Sequence, residues 1–422
     1  MIEERTIRSI LAQQSQEAQQ VPLESLCSRK EEALLELSSS QAQIVIGVRR
    51  SGKSTMCHRF LRSHQIDYAY VNFDDDRLTD FGNEDWDTML TSLTILYGDF
   101  SYLFLDEPQN VPTWHLFVNR MLRQRVHVFL TGSNAKLLSG ELSTHLTGRY
   151  NQVELYPLSF SEYLDLRGIS SEPLLISDKA ALQVAFENYL EQGGLPETLQ
   201  HKRWKNYLST IFSSIITRDI VQRFRVRYPE ALNDIALQLL DNFAREVNYE
   251  GLSKMVGATT DKTVRKYVSY LSQAYLFVPL HKFSFKSRVR MRGSKLYVVD
   301  NGFASAINEM KDTDMGWKLE NIVFLELLRR SYDNPYKVYY HKSAYEIDFV
   351  IVRGRKVSEL IQVSVSLSND KTRQREFSAL VAGADDLHCG NLTIITLDSS
   401  SHTQYKGHEI NVCNAVEWLI KT

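Results

Sequence analysis

The chain has 422 residues, of which 43% are hydrophobic and 24% charged, and its formal net charge is −2 at pH 7. This length exceeds what one hydrophobic core organises, so we expect about two to four domains with the composition of a soluble globular protein. Because the net charge is close to zero, the chain does not attract nucleic acid through its overall charge, and any basic surface must be local.

The cysteines and the apolar stretches narrow the class of protein further. The four cysteines are scattered without C-x-x-C spacing, which excludes a zinc knuckle and favours a reducing compartment. No stretch approaches the roughly 18 apolar residues of a transmembrane helix, and residues 1–6 carry two acids instead of the basic start of a secretory signal. We therefore expect a cytoplasmic protein without membrane contact.

The segment QIVIGVRRSGKST, residues 43–55, carries the pattern of a phosphate-binding loop. The apolar run Ile44–Ile46 predicts a buried strand, which leads into a G-x-x-x-x-G-K-S loop and then a helix-forming stretch. The two glycines let backbone N–H groups turn toward phosphates, Lys53 reaches the terminal phosphates, and Ser54 lends its hydroxyl to Mg²⁺. The alternative is a glycine loop that only connects a strand to a helix. The residues expected to bind the nucleotide are Gly47, Arg49, Arg50, Ser51, Gly52, Lys53, Ser54 and Thr55.

Three further β-forming runs follow the loop, and each ends in polar residues. These runs are Tyr68–Phe73, Tyr102–Leu105 and Val126–Leu130. Four such runs separated by helical segments predict an α/β fold with a parallel sheet covered by helices. Ligands of such sheets bind at the carboxyl ends of the strands, where these polar clusters lie.

Two acids, Asp106 and Glu107, come directly after the run Tyr102–Leu105. A hydrophobic strand that ends in two acids is the Walker B arrangement, in which Asp106 would hold magnesium through its water shell. Glu107 would orient and deprotonate the attacking water. The alternative is an acidic turn, but the position about 50 residues after a phosphate loop favours the catalytic interpretation.

Phosphoryl transfer also needs a cation and a sensor near the terminal phosphate. Arg149 is the best candidate for the cation, from its own or a neighbouring subunit, and the alternative is a surface arginine. Ser133 and Asn134 follow the next strand and could sense the phosphate. Their alternative role is to cap the helix that begins after them.

The order of several motifs resembles one family closely. GVRRSGKST, LFLDEPQNVPTW, LTGSNAKLLSGELSTHLTGRY, YPLSFSEYL and GGLPE together look like the archaeal and bacterial AAA+-type P-loop ATPases that carry a restriction-endonuclease-like C-terminal domain. The resemblance spans nearly the whole chain. The ligands expected from the loop and the two acids are ATP and Mg²⁺. The resemblance implies a five-stranded core whose Walker B strand is separated from the phosphate-loop strand. It also implies sensor duty for Ser133 or Asn134, a finger role for Arg149, and a structural role for Gln109 and Trp114.

The segment after the ATPase-like core is predicted to be helical. Phe160–Leu166 and Ala181–Glu191 are amphipathic, the sequence GGLP makes a sharp break, and Trp204–Phe224 resumes a long helix. We expect these helices to form a lid that closes over the nucleotide.

The next segment has the size of a winged helix-turn-helix. Leu252–Val256 predicts a short helix and Asp261–Ala274 a second one, while the stretch 281–295 alternates like a strand and holds six basic residues and no acid. A basic ribbon beside a recognition-like helix would contact the phosphates of DNA or RNA, and the alternatives are a solvated strand or a protein contact. The nucleic-acid candidates are Lys262, Arg265, Lys266, Arg288, Arg290 and Arg292.

The last part of the chain carries a remnant of a nuclease motif. In restriction-endonuclease-like folds a helix acid, a strand aspartate and a Glu-x-Lys collect Mg²⁺, and the lysine activates water. Glu320 and Asp348 fit the first two positions, but the third is Gln362-Val363-Ser364. Because Ser364 lacks the lysine's charge, the sequence argues against cleavage and favours a platform that docks a protein partner.

These observations predict four domains and one leading function. The domains are an ATPase core with N-terminal helices at 1–155, a helical lid at 156–225, a winged-helix-like module at 226–295 and an endonuclease-like domain at 296–422. The leading hypothesis is an ATP hydrolase that repositions its C-terminal half and that could form oligomers. The alternatives are an ATP-switched binding protein with little turnover and an ATP-gated nuclease.

Overall fold

The computed structural model describes residues 2–133, 146, 148–172, 175–257, 260–284, 293–308 and 315–421. The chain divides into two compact units, of which the first comprises Met1–Leu155 with Gln273–Tyr275 and the second comprises Tyr156–Ser272 with Leu276–Thr422. Each unit contains a hydrophobic cluster of its own.

The first unit is built on a five-stranded parallel sheet with the strand order β2-β3-β4-β1-β5. Its strands are β1 (Ala42–Ile46), β2 (Ala69–Asn72), β3 (Tyr102–Asp106), β4 (His127–Gly132) and β5 (Tyr150–Glu154). The predicted parallel α/β core is therefore confirmed. Strand β4 lies between β1 and β3, as the family resemblance implied.

Strand β5 was not predicted from its own residues. Its sequence, YNQVE, is polar for a strand of a parallel sheet, and only Val153 is fully buried. The polarity is tolerated because β5 is the edge strand and pairs with β1 alone.

Helices cover this sheet and complete its core. They are α1 (Glu4–Gln20), α2 (Lys53–Ser63), α3 (Asp85–Tyr97) and α4 (Trp114–Arg123), with short 3₁₀ turns at Leu23–Ser25, Lys30–Leu34, Asp76–Leu78 and Pro108–Asn110. Met56 and Phe60 of α2 pack with Phe104 and Phe129 of the sheet. This packing fixes the start of α2, and with it the loop that precedes the helix.

The second unit begins with helices and continues into a small antiparallel sheet. The helices are α5 (Phe160–Arg167), α6 (Ile176–Gln192), α7 (Trp204–Ser214), a π-helix (Ile215–Gln222), α8 (Pro229–Asp241), α9 (Tyr249–Val256) and α10 (Asp261–Gln273). A short 3₁₀ turn spans Pro196–Gln200. The small sheet has the order β6-β8-β7, with β6 (Arg245–Glu246), β7 (Phe277–His281) and β8 (Ser294–Val298).

The predicted basic strand at 281–295 is wrong in the part that the structure describes. Strand β7 ends at His281 and β8 begins at Ser294, while 285–292 lie outside the described residues. Lys295 does not lie on an exposed ribbon, since only 3% of it is exposed. It faces carboxylates in the interior, which alternation alone could not reveal.

A six-stranded mixed sheet organises the rest of the second unit, in the order β13-β14-β12-β11-β10-β9. Its strands are β9 (Lys337–Lys342), β10 (Glu346–Arg353), β11 (Lys356–Ser364), β12 (Leu392–Thr396), β13 (Ser401–Tyr405) and β14 (His408–Asn414). Its helices are α11 (Asn301–Ile307), α12 (Met315–Asp333), α13 (Asp370–Leu387) and α14 (Ala415–Ile420). Among the described residues, none of the helices has the length and apolar character needed to cross a membrane.

Candidate nucleotide-binding site

The loop between β1 and α2 has a backbone that its glycines make feasible. Gly47 follows the fully buried β1, and a Cβ atom there would lie 2.2 Å from the carbonyl oxygen of Leu155. Gly52 has a φ of 92° directly before α2 begins, which is a left-handed conformation that favours glycine. The loop therefore turns sharply at the carboxyl end of β1.

Two buried polar side chains of this loop fit the oxygens of a phosphate chain. Lys53 is 5% exposed, and its Nζ donates to the carbonyl oxygen of Val48 at 3.1 Å. The Oγ atom of Ser51 is buried without a hydrogen-bond partner among the described residues. Because an unpaired buried hydroxyl and a buried ammonium are costly, both groups favour an anionic ligand in this loop.

Ser54 and Asp106 meet beside the loop. The hydroxyl of Ser54 donates to Asp106 Oδ1 at 2.8 Å, and Thr131 Oγ1 donates to the same oxygen. Burial and the neighbouring Glu107 raise the pKa of Asp106 to about 6, against the lowering effect of Thr131, Ser54 and Lys53. Serine and carboxylate oxygens are the ligands that Mg²⁺ prefers, so these residues fit a magnesium ion held with the phosphates.

Glu107 is oriented toward the loop by three groups. Its Oε2 accepts hydrogen bonds from the backbone N–H of Ser133 at 3.1 Å, from Ser133 Oγ at 3.0 Å and from Gln109 Nε2. Its Oε1 lies 3.8 Å from Lys53 Nζ. With a φ of 52°, Glu107 also has a left-handed backbone, which turns the chain directly after β3.

Sequence reasoning missed three residues that support this site. Gln109 was expected to be structural, but its amide contacts Glu107, and Thr131 contacts Asp106. Arg29, from the segment before β1, donates from Nη1 to the carbonyl oxygen of Ser51 at 3.1 Å. The only signal for Gln109 was its position two residues after the glutamate, and nothing in the sequence pointed to Arg29.

The other predicted residues of the loop lie at its rim. Arg49 pairs with Asp74, with 3.0 Å between Nη2 and Oδ2. Arg50 is exposed and has a φ of 69°. Thr55 lines a cavity of about 230 Å³ together with residues of α1 and β2. Asn134 lies outside the described residues.

The structure does not bring Arg149 to this site within one chain. Strands β1 and β5 run parallel, with Ala42 paired to Tyr150, and the backbone N–H of Ala42 donates to the carbonyl oxygen of Arg149. Arg149 therefore lies at the amino end of the sheet, about 16 Å from its carboxyl end for a five-residue strand. The expectation that Arg149 acts from its own subunit is wrong, and a role toward a neighbouring subunit stays a prediction.

The candidate residues of the second unit form two separate groups. Glu320, Asp348 and Gln362 line one cavity of about 660 Å³. Among the described residues, no group of three or more His, Cys, Asp or Glu side chains has an arrangement that could hold a metal ion.

The basic candidates on α10 are only partly available. Lys262 and Lys266 are exposed, whereas Arg265 pairs with Asp261 at 3.0 Å and its guanidinium lies 3.9 Å from the ring centre of Tyr249. The remaining predicted contacts, Arg288, Arg290 and Arg292, lie outside the described residues.

Comparison with known proteins matches two segments of the chain to family models. Residues 39–164 match a family model described as an AAA domain, and residues 183–314 match a model described as a domain of unknown function (DUF8612). Among solved structures, the RuvB Holliday junction branch migration motor of Thermotoga maritima is similar with 17% identity and a TM-score of 0.28, over 56% of this chain and 81% of that chain. PCH-2 of C. elegans is similar with 14% identity and a TM-score of 0.29, over 41% of this chain and 60% of that chain.

Two relatives match nearly the whole chain. The uncharacterized protein MJ1544 of Methanocaldococcus jannaschii is 31% identical over 406 residues, which cover 92% of this chain and 90% of that protein. An uncharacterized protein of Haemophilus influenzae is 30% identical over 394 residues, which cover 90% of this chain and 94% of that protein. The chain therefore belongs to the same protein family as MJ1544, and its residues 39–164 are similar to the AAA domain family.

Proposed function

We propose that the first unit binds ATP with Mg²⁺ and hydrolyses it. One observation carries this proposal: the Ser54 hydroxyl donates to Asp106 at 2.8 Å, and the buried ammonium of Lys53 interacts electrostatically with the same aspartate. A serine and an aspartate in this pairing supply oxygen ligands for magnesium, and the lysine supplies the charge that attracts phosphate oxygens.

The residues divide the chemical work between them. Lys53 and the N–H groups of the loop bind and orient the phosphates. When bound, Mg²⁺ would neutralise charge that develops on the phosphate oxygens. Glu107 would accept a proton from the attacking water, because Ser133 and Gln109 hold its carboxylate in one orientation near the loop.

We also propose that ATP turnover rearranges the second unit. In this proposal residues 156–225 form the lid and residues 296–422 form an endonuclease-like domain that docks a protein partner. The order of α8, β6, α9, α10, β7 and β8 supports a winged helix within 226–295.

Contact with DNA or RNA through α10 is part of this proposal. Lys262 and Lys266 are exposed on that helix, while Val264, Tyr267 and Val268 are buried against the core. A helix with one buried face and one basic face can follow a phosphate backbone.

A trapping experiment tests the ATPase proposal and separates it from a binding switch. Glu107→Gln keeps the shape and hydrogen-bond capacity of the side chain but removes the base. We expect ATP affinity to stay within about threefold and the hydrolysis rate to fall by at least about 100-fold. If the parent and Glu107→Gln both bind ATP and hydrolyse it equally slowly, the result would instead favour an ATP-switched binding protein with little turnover.

The nucleic-acid contact needs its own test with a matched control. The double variant Lys262→Glu with Lys266→Glu should weaken binding of DNA or RNA and reduce the salt slope by about 2. The control, Lys356→Glu with Lys371→Glu, makes the same charge change at exposed positions elsewhere. Equal nucleic-acid affinity and salt slope of the two double variants would contradict a contact through α10.

ATPase rates measured with and without added DNA, RNA or cell extract would identify the class of partner, because the true partner should stimulate hydrolysis.

A further inference from the structure

One buried lysine lies among the acids of the large cavity in the second unit. The side chain of Lys295 is 4% exposed, and its Nζ lies 2.8 Å from Glu346 Oε1, 3.2 Å from Glu320 Oε1 and 3.8 Å from Asp348 Oδ1. The ammonium group therefore lies within ion-pair distance of three carboxylates at once.

The candidate metal-ligating oxygens already have donors. The hydroxyl of Tyr297 donates to Glu320 Oε1 at 2.6 Å, and the backbone N–H of Val363 donates to Asp348 Oδ2 at 2.9 Å. The side-chain Oε1 of Gln362, a weak metal ligand in principle, accepts a hydrogen bond from the backbone N–H of Asp348 at 3.2 Å. Each residue that the sequence offered to a metal thus has at least one side-chain oxygen that accepts a hydrogen bond within the protein.

A divalent ion does not fit this arrangement of charges. Mg²⁺ bound to Glu320 and Asp348 would lie about 2.0–2.1 Å from their oxygens, and Lys295 Nζ lies against the same carboxylates. Mg²⁺ and the ammonium group would therefore share the same carboxylate partners, and two cations this close together repel each other strongly in a buried site. Glu346 could not move to compensate freely, because its other oxygen pairs with Lys342 at 3.3 Å.

We propose that the ammonium group of Lys295 takes the position of a metal ion beside this cavity, so that Glu320, Glu346 and Asp348 hold a tethered cation and no Mg²⁺. The lysine comes from β8 and its partners come from α12 and β10. The cluster therefore joins the small antiparallel sheet to the six-stranded sheet, as a structural metal would. The cavity of about 660 Å³ beside it is left for binding without metal-dependent cleavage.

Uptake of Mn²⁺, an observable substitute for Mg²⁺, tests this proposal on the full-length chain. Electron paramagnetic resonance measures free and bound Mn²⁺ for the parent, Asp348→Asn, Lys295→Ala and Lys295→Ala with Asp348→Asn. Each protein carries the same phosphate loop, so differences report on the cluster alone. The matched control is Lys254→Ala, which removes an exposed lysine that pairs with Glu250.

The proposal predicts equal Mn²⁺ binding by the parent and by Asp348→Asn. Lys295→Ala should gain one site, at least about tenfold tighter than any cluster binding in the parent, and Asp348→Asn should remove that gain. Lys254→Ala should gain nothing. Circular dichroism establishes that each variant is folded.

Three results would overturn the proposal. The first is Mn²⁺ bound by the parent and lost in Asp348→Asn, a comparison that decides the question even if Lys295→Ala does not fold. The second is a folded Lys295→Ala variant that gains no site. The third is Mg²⁺-dependent cutting of DNA or RNA by the parent that Lys295→Met abolishes, since Lys295 would then be a catalytic lysine.

Discussion

The hydroxyl of Ser54 donates to Asp106 across 2.8 Å, although the two residues are 52 positions apart in the chain. Ser54 belongs to the first turn of α2 and Asp106 ends β3, with β4 between β3 and β1 in the sheet. The contact exists because parallel strands bring their carboxyl ends to one edge. It unites the two motifs on which the proposed activity depends.

Removing the hydroxyl of Ser133 should slow hydrolysis without weakening ATP binding. Ser133 Oγ donates to Glu107 Oε2 at 3.0 Å, so Ser133→Ala removes one of the hydrogen bonds that orient the proposed base. The hydrogen bond from the backbone N–H of Ser133 is kept. We expect kcat to fall about tenfold and KM for ATP to stay within about twofold. Ser133→Thr keeps a hydroxyl and should recover most of the rate. Steady-state kinetics in which KM rises and kcat stays constant would contradict this role.

Adding one methyl group at Gly47 should destabilise the protein. The new Cβ would lie 2.2 Å from the carbonyl oxygen of Leu155, so the loop or the backbone at Leu155 must shift. We expect Gly47→Ala to lower the free energy of unfolding by about 1–3 kcal/mol. The matched control is Gly390→Ala, where a Cβ meets no atom within 4 Å and the change should stay within about 0.5 kcal/mol. Chemical denaturation curves that coincide for the two variants would be inconsistent with this packing.

Asp300 should make stability depend on pH. It is buried and accepts backbone hydrogen bonds from Gly194 at 2.7 Å and Gly302 at 2.8 Å, yet burial outweighs these bonds and raises its pKa to about 7 from the ordinary 3.8. The folded protein therefore binds more protons here than the unfolded chain between about pH 4 and pH 7. Stability from this group falls as pH rises through that window, by at most about 1.4 kcal/mol per pH unit.

Asp300→Asn isolates this effect, because asparagine does not titrate. The variant should be less stable at low pH, since one of its side-chain atoms becomes a donor that faces a backbone donor. Its unfolding free energy should fall less steeply between about pH 4 and pH 7 than that of the parent. Parallel stability profiles for the two proteins would show that Asp300 titrates normally.

Replacing Lys295 should cost much more stability than replacing an exposed lysine. Lys295→Met leaves three carboxylates without their buried cation, and removing one partner of a buried pair costs about 3–5 kcal/mol. Lys254→Met breaks an exposed pair with Glu250, which is worth less than about 0.5 kcal/mol. Thermal unfolding of both variants in the presence of EDTA makes the comparison independent of metal. Similar melting temperatures for the two variants would contradict a stabilising cluster of Lys295 with the three carboxylates.

The fold and the candidate site could be predicted from the sequence wherever a residue type at a given spacing has a single physical role. The loop from Gly47 to Ser54 and the acids at 106–107 could be assigned because each residue type has a defined role toward phosphate or magnesium. The parallel core followed from apolar runs that end in polar clusters. The helix α10 was predicted because its apolar residues recur at helical spacing, and they are buried.

The missed features depend on contacts between distant parts of the chain. Strand β5 is a polar edge strand, and Lys295 looked like one member of a basic run until the fold brought it to Glu320. Arg149 matched a motif, but its distance from the loop is set by strand direction, which the sequence does not state locally. Gln109 and Arg29 act through hydrogen bonds that have no sequence periodicity.

The central claim is that the loop around Lys53 binds ATP, and calorimetric titration of ATP with Mg²⁺ into the full-length chain tests it most directly. We expect one ATP per chain for the parent and at least about 100-fold weaker binding for Lys53→Ala, a loss of about 2.7 kcal/mol in binding free energy. No heat of binding for the parent, or identical isotherms for the two folded proteins, would contradict it.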